Sequence, residues 1–206
     1  MTHSNNLFLI QKQENVLVSH PFESEWQFIV QEQGELDVFF LGLNQNLKLS
    51  VLLNGEKAKS NIKCAYLSNK SNKLNIDIKV IHKHKNTFSN QQIKGLSADE
   101  SIISITAGIE IPKNTNGCEG YQNHRGILLS DKAKISAIPQ LEIWSEDVVC
   151  SHGSAVGPLP EEQLFYLESR GLKKSEAEKL LLSSFFNDIV PDDFNTYIEE
   201  WMEQNV

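Results

Sequence analysis

The chain has few cysteines, and none of them belongs to a recognisable motif. Its 206 residues include three, Cys64, Cys118 and Cys150, and no two of these form a CxxC pair. Thiols this few and this scattered exclude a disulfide framework, and this chain alone supplies neither a zinc knuckle nor a four-cysteine cluster site. Any metal held here would need histidine or carboxylate ligands as well, or ligands from a second chain.

Long apolar runs are also missing. No stretch of about 18 consecutive apolar residues is present, so the sequence predicts no membrane span. The first 13 residues are polar and show neither a basic leader nor a cleavage site, which favours a cytoplasmic protein. The formal net charge of −8 argues against nonspecific binding to nucleic acid or to an anionic membrane.

The motifs of nucleotide-using and hydrolytic enzymes are absent as well. The sequence contains no GxxxxGK[ST] phosphate loop and no GxGxxG, HExxH or GxSxG motif. A stand-alone nucleotide-using or hydrolytic enzyme is therefore disfavoured.

Between about residues 16 and 156 the sequence predicts one strand after another. In segment 74–81 apolar residues alternate with polar ones, which is typical of a strand with one face in a core. Breaks rich in Asn, Ser, Gly and Lys, such as Asn54-Gly55, separate these strands. No helical period is found before about residue 160.

A sandwich, a barrel and a β-helix would each give this pattern. Taken alone, Asn54-Gly55 favours a hairpin. The later segments are short apolar pieces with irregular polar corners, which favours a solenoid whose coils cover one another. These pieces are residues 102–105, 126–129, 133–138 and 141–143.

The pattern changes at Gly157-Pro158-Leu159-Pro160, after which three short helices are predicted. One face of the second helix is predicted to consist of Ala177, Leu180, Leu181, Ser184 and Phe185. The three helices have more apolar surface than they need for each other, so the surplus must pack on the β region or on a partner. We therefore predict a β domain over residues 1–157 and a helical domain over residues 158–206.

The densest polar cluster in the sequence surrounds Cys150 and His152. The two residues are i and i+2, so on a strand they share one face and Ser151 lies on the other. A thiolate beside an imidazole suits iron, zinc or copper, and the same pairing lowers the pKa of a thiol and makes it a nucleophile. The alternative is a small buried thiol and a hydrogen-bonded histidine at a strand end.

Other candidate groups have simpler interpretations. His82 and His84 are also an i, i+2 pair, but their lysine neighbours favour a solvated strand edge over a metal site. The segment Tyr121-Gln-Asn-His-Arg125 is interpreted as a rim or turn. Cys64 and Cys118 are interpreted as core thiols.

One ordered run of motifs is specific enough to indicate a family. It consists of Pro139-Gln-Leu-Glu-Ile143, Glu146-Asp-Val-Val-Cys-Ser-His-Gly153 and Glu162-Gln-Leu-Phe-Tyr-Leu-Glu-Ser-Arg-Gly171, preceded by Val80-Ile-His82 and Asn123-His-Arg-Gly-Ile-Leu-Leu-Ser-Asp131. These stretches, which span roughly residues 80–190, resemble the C-terminal part of the SufB/SufD family of iron–sulfur cluster assembly scaffolds. Cys-Ser-His-Gly is the SufD form of the motif. SufB-like chains instead carry a cysteine near the place that His124 holds here, so the chain resembles SufD-type members.

The resemblance implies a right-handed parallel β-helix followed by a small C-terminal α-helical domain. It also implies two partners, a SufB-like subunit at the end of the β-helix and a SufC-like ATPase on the C-terminal helices. The chain would then be a non-catalytic scaffold subunit that binds no nucleotide. A transient iron–sulfur cluster would assemble at its junction with the SufB-like subunit.

Carried over by position, the resemblance makes His152 and Cys150 ligands of the cluster or of iron at that junction. The partner chain would complete the coordination. Four apolar residues of the tail would divide between its own core and the contact with the ATPase: Leu164, Phe165, Leu180 and Phe185.

Two points leave other interpretations open. Relatives commonly carry an additional N-terminal helical region and more coils, and this chain has neither in full. The alternative function is a small metal-dependent enzyme that uses Cys150 and His152, with His124 as an optional third group.

Overall fold

A computed structural model describes residues 6–19 and 24–206 as twelve β-strands followed by three α-helices. The strands are β1 Asn6–Ile10, β2 Gln13–Ser19, β3 Ser24–Val30, β4 Glu35–Leu43, β5 Leu47–Leu53, β6 Lys59–Ser68, β7 Lys73–His82, β8 Phe88–Ser97, β9 Ile102–Ile111, β10 Cys118–Leu128, β11 Lys134–Ile143 and β12 Val148–Pro158. The helices are α1 Glu161–Ser169, α2 Lys174–Phe186 and α3 Asn195–Asn205, with a 3₁₀ turn at Asp192–Phe194. Residues 1–5 of the N-terminal segment considered above lie outside the described part.

The strands form two six-stranded parallel sheets. All odd-numbered strands lie in one sheet, in the order β1-β3-β5-β7-β9-β11, and all even-numbered strands lie in the other, from β2 to β12. Each coil of the chain thus contributes one strand to each sheet, and the next coil stacks on it in register. This is a parallel β-helix, so the fold implied by the resemblance is confirmed and the sandwich is excluded.

The hairpin favoured by Asn54-Gly55 is wrong. These residues form a corner between β5 and β6, which belong to different sheets. A Cβ at Gly55 would lie 2.0 Å from the backbone nitrogen of Glu32 in the preceding coil. Glycine is needed here because two corners stack closely, which short-range turn preferences do not reveal.

One column of corner residues has a left-handed backbone. Gln33, Lys57 and Asn86 have φ of 56°, 59° and 57°. Each donates its N–H to a carbonyl of the following coil, over 2.9, 3.4 and 3.0 Å respectively. The repetition holds the coils in register on this side of the β-helix.

Several strands are longer than the apolar pieces predicted. The piece at 102–105 is the start of β9, and the pieces at 133–138 and 141–143 form one strand, β11, that continues through Pro139. Since β11 is an edge strand, a proline nitrogen directed away from β9 removes no ladder hydrogen bond.

One core fills the interior of the β-helix, between the two sheets. A second core joins the helices to the outer face of the even sheet, which is the sheet of even-numbered strands. Phe39, Leu41, Ala65, Leu67 and Leu96 of that sheet pack against the buried helix residues, which include Leu182, Phe186, Ile198, Trp201 and Met202. The apolar surplus of the tail is thus buried on the β region. The helices and the β region share this core, and the division into domains 1–157 and 158–206 stays a prediction.

The predicted apolar face of α2 is partly wrong. Ala177 is buried as predicted, but Leu180 is half exposed and Ser184 is exposed, whereas Leu182 and Phe186 are buried. Three consecutive leucines, 180–182, allow more than one face, and the flat outer surface of the even sheet selects the one centred on Leu182. Within the described residues, no helix is long and apolar enough to cross a membrane.

Candidate functional site

The last coil of the β-helix presents two free strand edges side by side. β11 ends the odd sheet and β12 ends the even sheet, and both lie at the same end of the stack. Such edges carry a row of backbone N–H and C=O groups without a neighbouring strand. The inward-facing residues of this coil are only partly covered, because no further coil lies over them in the described chain.

Cys150 and His152 lie on β12, at this open end. The register sets Cys150 beside Gly120 and His152 beside Gln122, both of which are buried on β10. Cys150 is half-buried and packs against Ile109, Ile111 and Cys118. His152 is exposed, and among the described residues its imidazole has no hydrogen-bond or ionic partner. The two groups are therefore reachable from outside the chain, as metal ligands must be.

The thiol of Cys150 is not activated by its neighbours. Burial raises its pKa above the ordinary value of 9.0, and a hydrogen bond with the backbone of Gly120 opposes this only in part. The prediction that the imidazole lowers this pKa is wrong, since His152 is solvated and does not act on the thiol. At neutral pH Cys150 is thus a thiol, and a metal that binds it must displace the proton.

Within the described residues, Cys150 and His152 have no third metal-binding group beside them. Among residues 6–19 and 24–206, no group of three His, Cys, Asp or Glu side chains is arranged to hold a metal ion. Zinc and cluster irons each take about four ligands. Cys150 and His152 are therefore at most half of a coordination set.

His124 lies one coil further inside and is not available to a metal. It is 1 % exposed, its Nε2 lies 2.8 Å from the Tyr66 hydroxyl, and its Nδ1 lies 3.0 Å from Ser154 Oγ. Burial lowers the pKa of its imidazole to about 4, so the ring is neutral at pH 7. An enzyme site at Cys150 and His152 therefore cannot use His124 as a third ligand.

The comparison with protein families agrees with the motif run that surrounds this site. The model of the SufBD core domain, described as SUF system FeS cluster assembly, matches residues 26–185. The chain belongs to the SufB/SufD family. Its described β-helix thus belongs to a SufBD core domain.

Relatives in this family come from bacteria, plants and algae. The chain is 30% identical over 138 residues to the iron–sulfur cluster assembly protein SufD of Escherichia coli. The aligned region covers 66% of this chain and 32% of that protein. It is 28% identical over 162 residues to the chloroplastic SufBD family protein ABCI8 of Arabidopsis thaliana, covering 74% of this chain and 28% of the relative. It is also 26% identical over 140 residues to the SufBD family protein ycf24 of Galdieria sulphuraria, covering 68% and 63%. The chain thus spans about a third of the length of the first two relatives.

The tail residues predicted to contact a partner occupy different surroundings in this SufB/SufD chain. Phe165 of α1 is 71% exposed and Leu180 of α2 is 50% exposed, whereas Leu164 is only partly exposed. Phe185 packs against the shared core and lies between two cations, 5.1 Å from Lys94 Nζ and 6.0 Å from the Arg125 guanidinium carbon. The side chains of Phe165 and Leu180 are therefore accessible to a partner, whereas Phe185 packs against residues of this chain.

The interpretation of His82 as part of a solvated edge is wrong. Its ring is fully buried, with Nδ1 2.8 Å from Thr87 Oγ1 and Nε2 2.9 Å from Ser89 Oγ, and burial lowers its pKa to about 4. His84 is exposed, as expected for the edge. The chain turns a corner after His82, and the hydroxyls of Thr87 and Ser89, which follow that corner, contact the ring. The alternation of residues before the corner does not predict these contacts.

The structure also places segment 121–125 and the two cysteines interpreted as core thiols. Tyr121 and Arg125 lie on β10 and not in a turn, where the inward residues Gln122 and His124 alternate with outward ones. Cys64 and Cys118 are buried, as expected of core thiols, and burial raises the pKa of Cys64 to about 12. Sequence reasoning missed the contact between Tyr66 and His124, because these residues are 58 positions apart.

Proposed function

We propose that the chain is a SufD-like scaffold subunit that supports iron–sulfur cluster assembly at an interface with a SufB-like subunit. The supporting observation is that Cys150 and His152 lie together, accessible, on an edge strand at the open end of the β-helix. The Cys-Ser-His-Gly sequence of residues 150–153 supports the SufD type within the family. The cluster is the cargo of this site, and the chain itself binds no nucleotide and catalyses no reaction.

Strand addition is the proposed mode of contact with the SufB-like subunit. β11 and β12 each offer one free edge, so two strands of a partner can continue both sheets at once. Their outward faces add apolar contact area, since Ile138 is 55% exposed and Val149 is 57% exposed. A partner bound in this way would cover the last coil and lie directly over Cys150 and His152.

The chemistry of the pair suits shared ligation. Cys150 would contribute a thiolate after losing its proton to solvent, and His152 would contribute a neutral imidazole nitrogen. Because the pair supplies two ligands, the partner must supply the others. The site would therefore hold a cluster only when the two subunits are joined.

The surface of α1 is the proposed docking site for a SufC-like ATPase. No residue of α1 is buried, and Phe165 and Tyr166 are 71% and 58% exposed. They border a hollow of about 810 Å³ that also reaches Leu181 of α2. Exposed aromatic side chains of this kind are typical anchors of protein interfaces.

Anaerobic reconstitution of the co-purified complex tests the site. The chain is co-expressed with SufB-like and SufC-like partners, and iron and sulfide bound per complex are measured for wild type, Cys150→Ala and His152→Ala. We expect both variants to co-elute with the partners and to lose most of the bound cluster. His84→Ala, which removes an exposed imidazole elsewhere, is the matched control and should retain it.

Two results would contradict this proposal. Normal cluster content in His152→Ala would show that the imidazole is not a ligand. A chain that elutes as a lone monomer in the presence of both partners would remove the proposed interfaces.

A second pair of variants tests the docking of the ATPase. Phe165→Ser should reduce co-elution of the SufC-like partner, because it removes an exposed anchor from α1. Leu17→Ser removes an exposed apolar residue of β2 at the opposite end of the β-helix, where Leu17 is 52% exposed, and should leave docking unchanged. Equal behaviour of the two variants would argue against docking on α1.

The cytoplasmic location expected from the sequence stays a prediction. The relative from Arabidopsis is named as a chloroplastic protein, so members of the family occur in more than one compartment.

A further inference from the structure

A cavity of about 610 Å³ lies between the outer face of the even sheet and helices α1 and α2. Its floor includes Lys94, Arg125 and Ala155, which the register aligns across β8, β10 and β12. Two positions further along β12 is Gly157, where a Cβ would meet nothing within 4 Å. The cavity exists because β12 carries small residues where its neighbours carry large ones.

Two cations line this cavity, and neither is fully satisfied within the described chain. Lys94 is 9% exposed, and its Nζ lies 2.5 Å from Asp188 Oδ1 and 2.9 Å from the carbonyl oxygen of Phe185. An ammonium group has three N–H donors, so one donor remains for a ligand. The Arg125 guanidinium stacks over the Phe185 ring and has no carboxylate partner among the described residues.

The balance of charge in the cavity is positive, in a protein whose net charge is −8. Asp188 is the only acidic side chain among the lining residues, so two cations face one anion. Gln163, Ser184 and Asn187 add neutral hydrogen-bonding groups, and the remaining wall is largely apolar. This combination selects a ligand with a negatively charged head and an uncharged remainder.

We propose that the cavity binds a small organic anion whose carboxylate or phosphate group contacts Arg125 and Lys94. A planar guanidinium matches either group in a bidentate arrangement, and the volume lies in the usual range of small-molecule sites, about 300–1,000 Å³. The site is separate from the cluster ligands, because Arg125 faces outward from the even sheet whereas Cys150 and His152 face the interior of the β-helix.

Calorimetric titration of the full chain tests the proposal with three probes: inorganic phosphate, citrate and phenyl phosphate. We expect saturable one-to-one binding of at least one of them, and a comparison of citrate with the two phosphates identifies the head group. Arg125→Gln should weaken this binding at least about tenfold, since it removes a charge-assisted hydrogen bond. Gly157→Leu should abolish it by filling the cavity without a change of charge.

Lys113→Gln removes a cation from an exposed corner and is the matched control, with binding expected at the wild-type level. Absence of saturable binding for all three probes would overturn the proposal, as would equal weakening by Lys113→Gln and Arg125→Gln. A glutamate-rich peptide is titrated separately, and its binding in place of the small anions would also overturn the proposal, because the occupant would then be a protein segment. None of these results bears on the scaffold role, which co-elution and cluster content decide.

Discussion

The two ends of the β-helix are filled with different kinds of side chain. In the coils nearest the N-terminus the interior is apolar and aromatic, with Phe28, Val30, Phe40, Leu49 and Val51 all buried. In the coils nearest the open end it contains buried polar groups, which include His82, Ser89, Gln91, Gln122 and His124. The backbone architecture is the same at both ends, so the difference lies in the side chains alone.

The two ends are therefore expected to contribute differently to the stability of the fold. Apolar interiors stabilise a fold through the area that they remove from water, whereas buried polar groups cost free energy unless each finds a partner. The side-chain oxygens of Gln91 and Gln122 find none within the described chain. The polar end is therefore expected to contribute less to folding than the apolar end, and it is the end that carries Cys150 and His152.

The largest expected effect is at the apolar end. Phe40 is fully buried and contacts the ring of Trp26 at a centroid distance of 5.7 Å. We expect Phe40→Ala to lower the free energy of unfolding by about 3–5 kcal/mol, measured by urea denaturation. Phe165→Ala, at a ring that is 71% exposed, is the control and should change it by less than about 0.5 kcal/mol. Similar losses in both variants would contradict the comparison.

The polar end should make the protein sensitive to acid. Burial lowers the pKa of His82 and His124 from 6.5 to about 4, so between these pH values the unfolded chain binds protons that the folded chain does not. Stability should therefore fall as the pH is lowered through this window, by about 3 kcal/mol for each histidine, and it should level off outside the window.

Unfolding free energies measured from pH 7.5 to pH 4 check this expectation. The variant His124→Gln lacks the contribution of this histidine, so its free energy of unfolding should fall less steeply with falling pH than that of wild type. Curves that run parallel would show that His124 does not titrate in this way.

A smaller effect is expected for the hydrogen bond inside the polar end. Tyr66→Phe keeps the ring that stacks on His124 but removes the hydroxyl 2.8 Å from Nε2. The buried nitrogen then has no partner on that side, which should cost about 1–2 kcal/mol in urea denaturation. No loss would mean that this network does not contribute to folding.

The smallest effect on stability is expected at His152, the proposed ligand. His152 is exposed and has no partner among the described residues, so His152→Ala should change the free energy of unfolding by less than about 0.5 kcal/mol. The same variant should lose the cluster in the assembled complex. A large loss of stability would show that the imidazole belongs to the fold and not to the site.

Local patterns predicted a good part of this molecule. The alternation in residues 74–81 predicted β7, and the i, i+2 spacing of Cys150 and His152 placed the pair on one face of β12. The parallel β-helix itself followed from family motifs and not from the alternation, which a sandwich would have produced equally well.

The rest depended on contacts between coils. The sequence around Gly55 predicts a hairpin, because the close contact with the backbone of Glu32 is visible only in the structure. The burial of His82 depends on two hydroxyls that lie beyond a corner of the chain. The burial of Leu182 depends on a sheet surface that strands far upstream form, from β4 to β10. None of these contacts can be predicted from the neighbouring sequence, because the lengths of the corners determine which residues of successive coils meet.

Helix α1 is joined to the rest of the chain differently from its neighbours. α2 and α3 are held by the core that they share with the even sheet, whereas α1 has no buried residue and lies between Gly157 and Gly171. A pull on α1 would therefore act on α2, which it contacts, and on the C-terminal end of β12, to which Leu159 and Pro160 join it. Movement of this helix would thus reach the strand that carries Cys150 and His152, the proposed ligands.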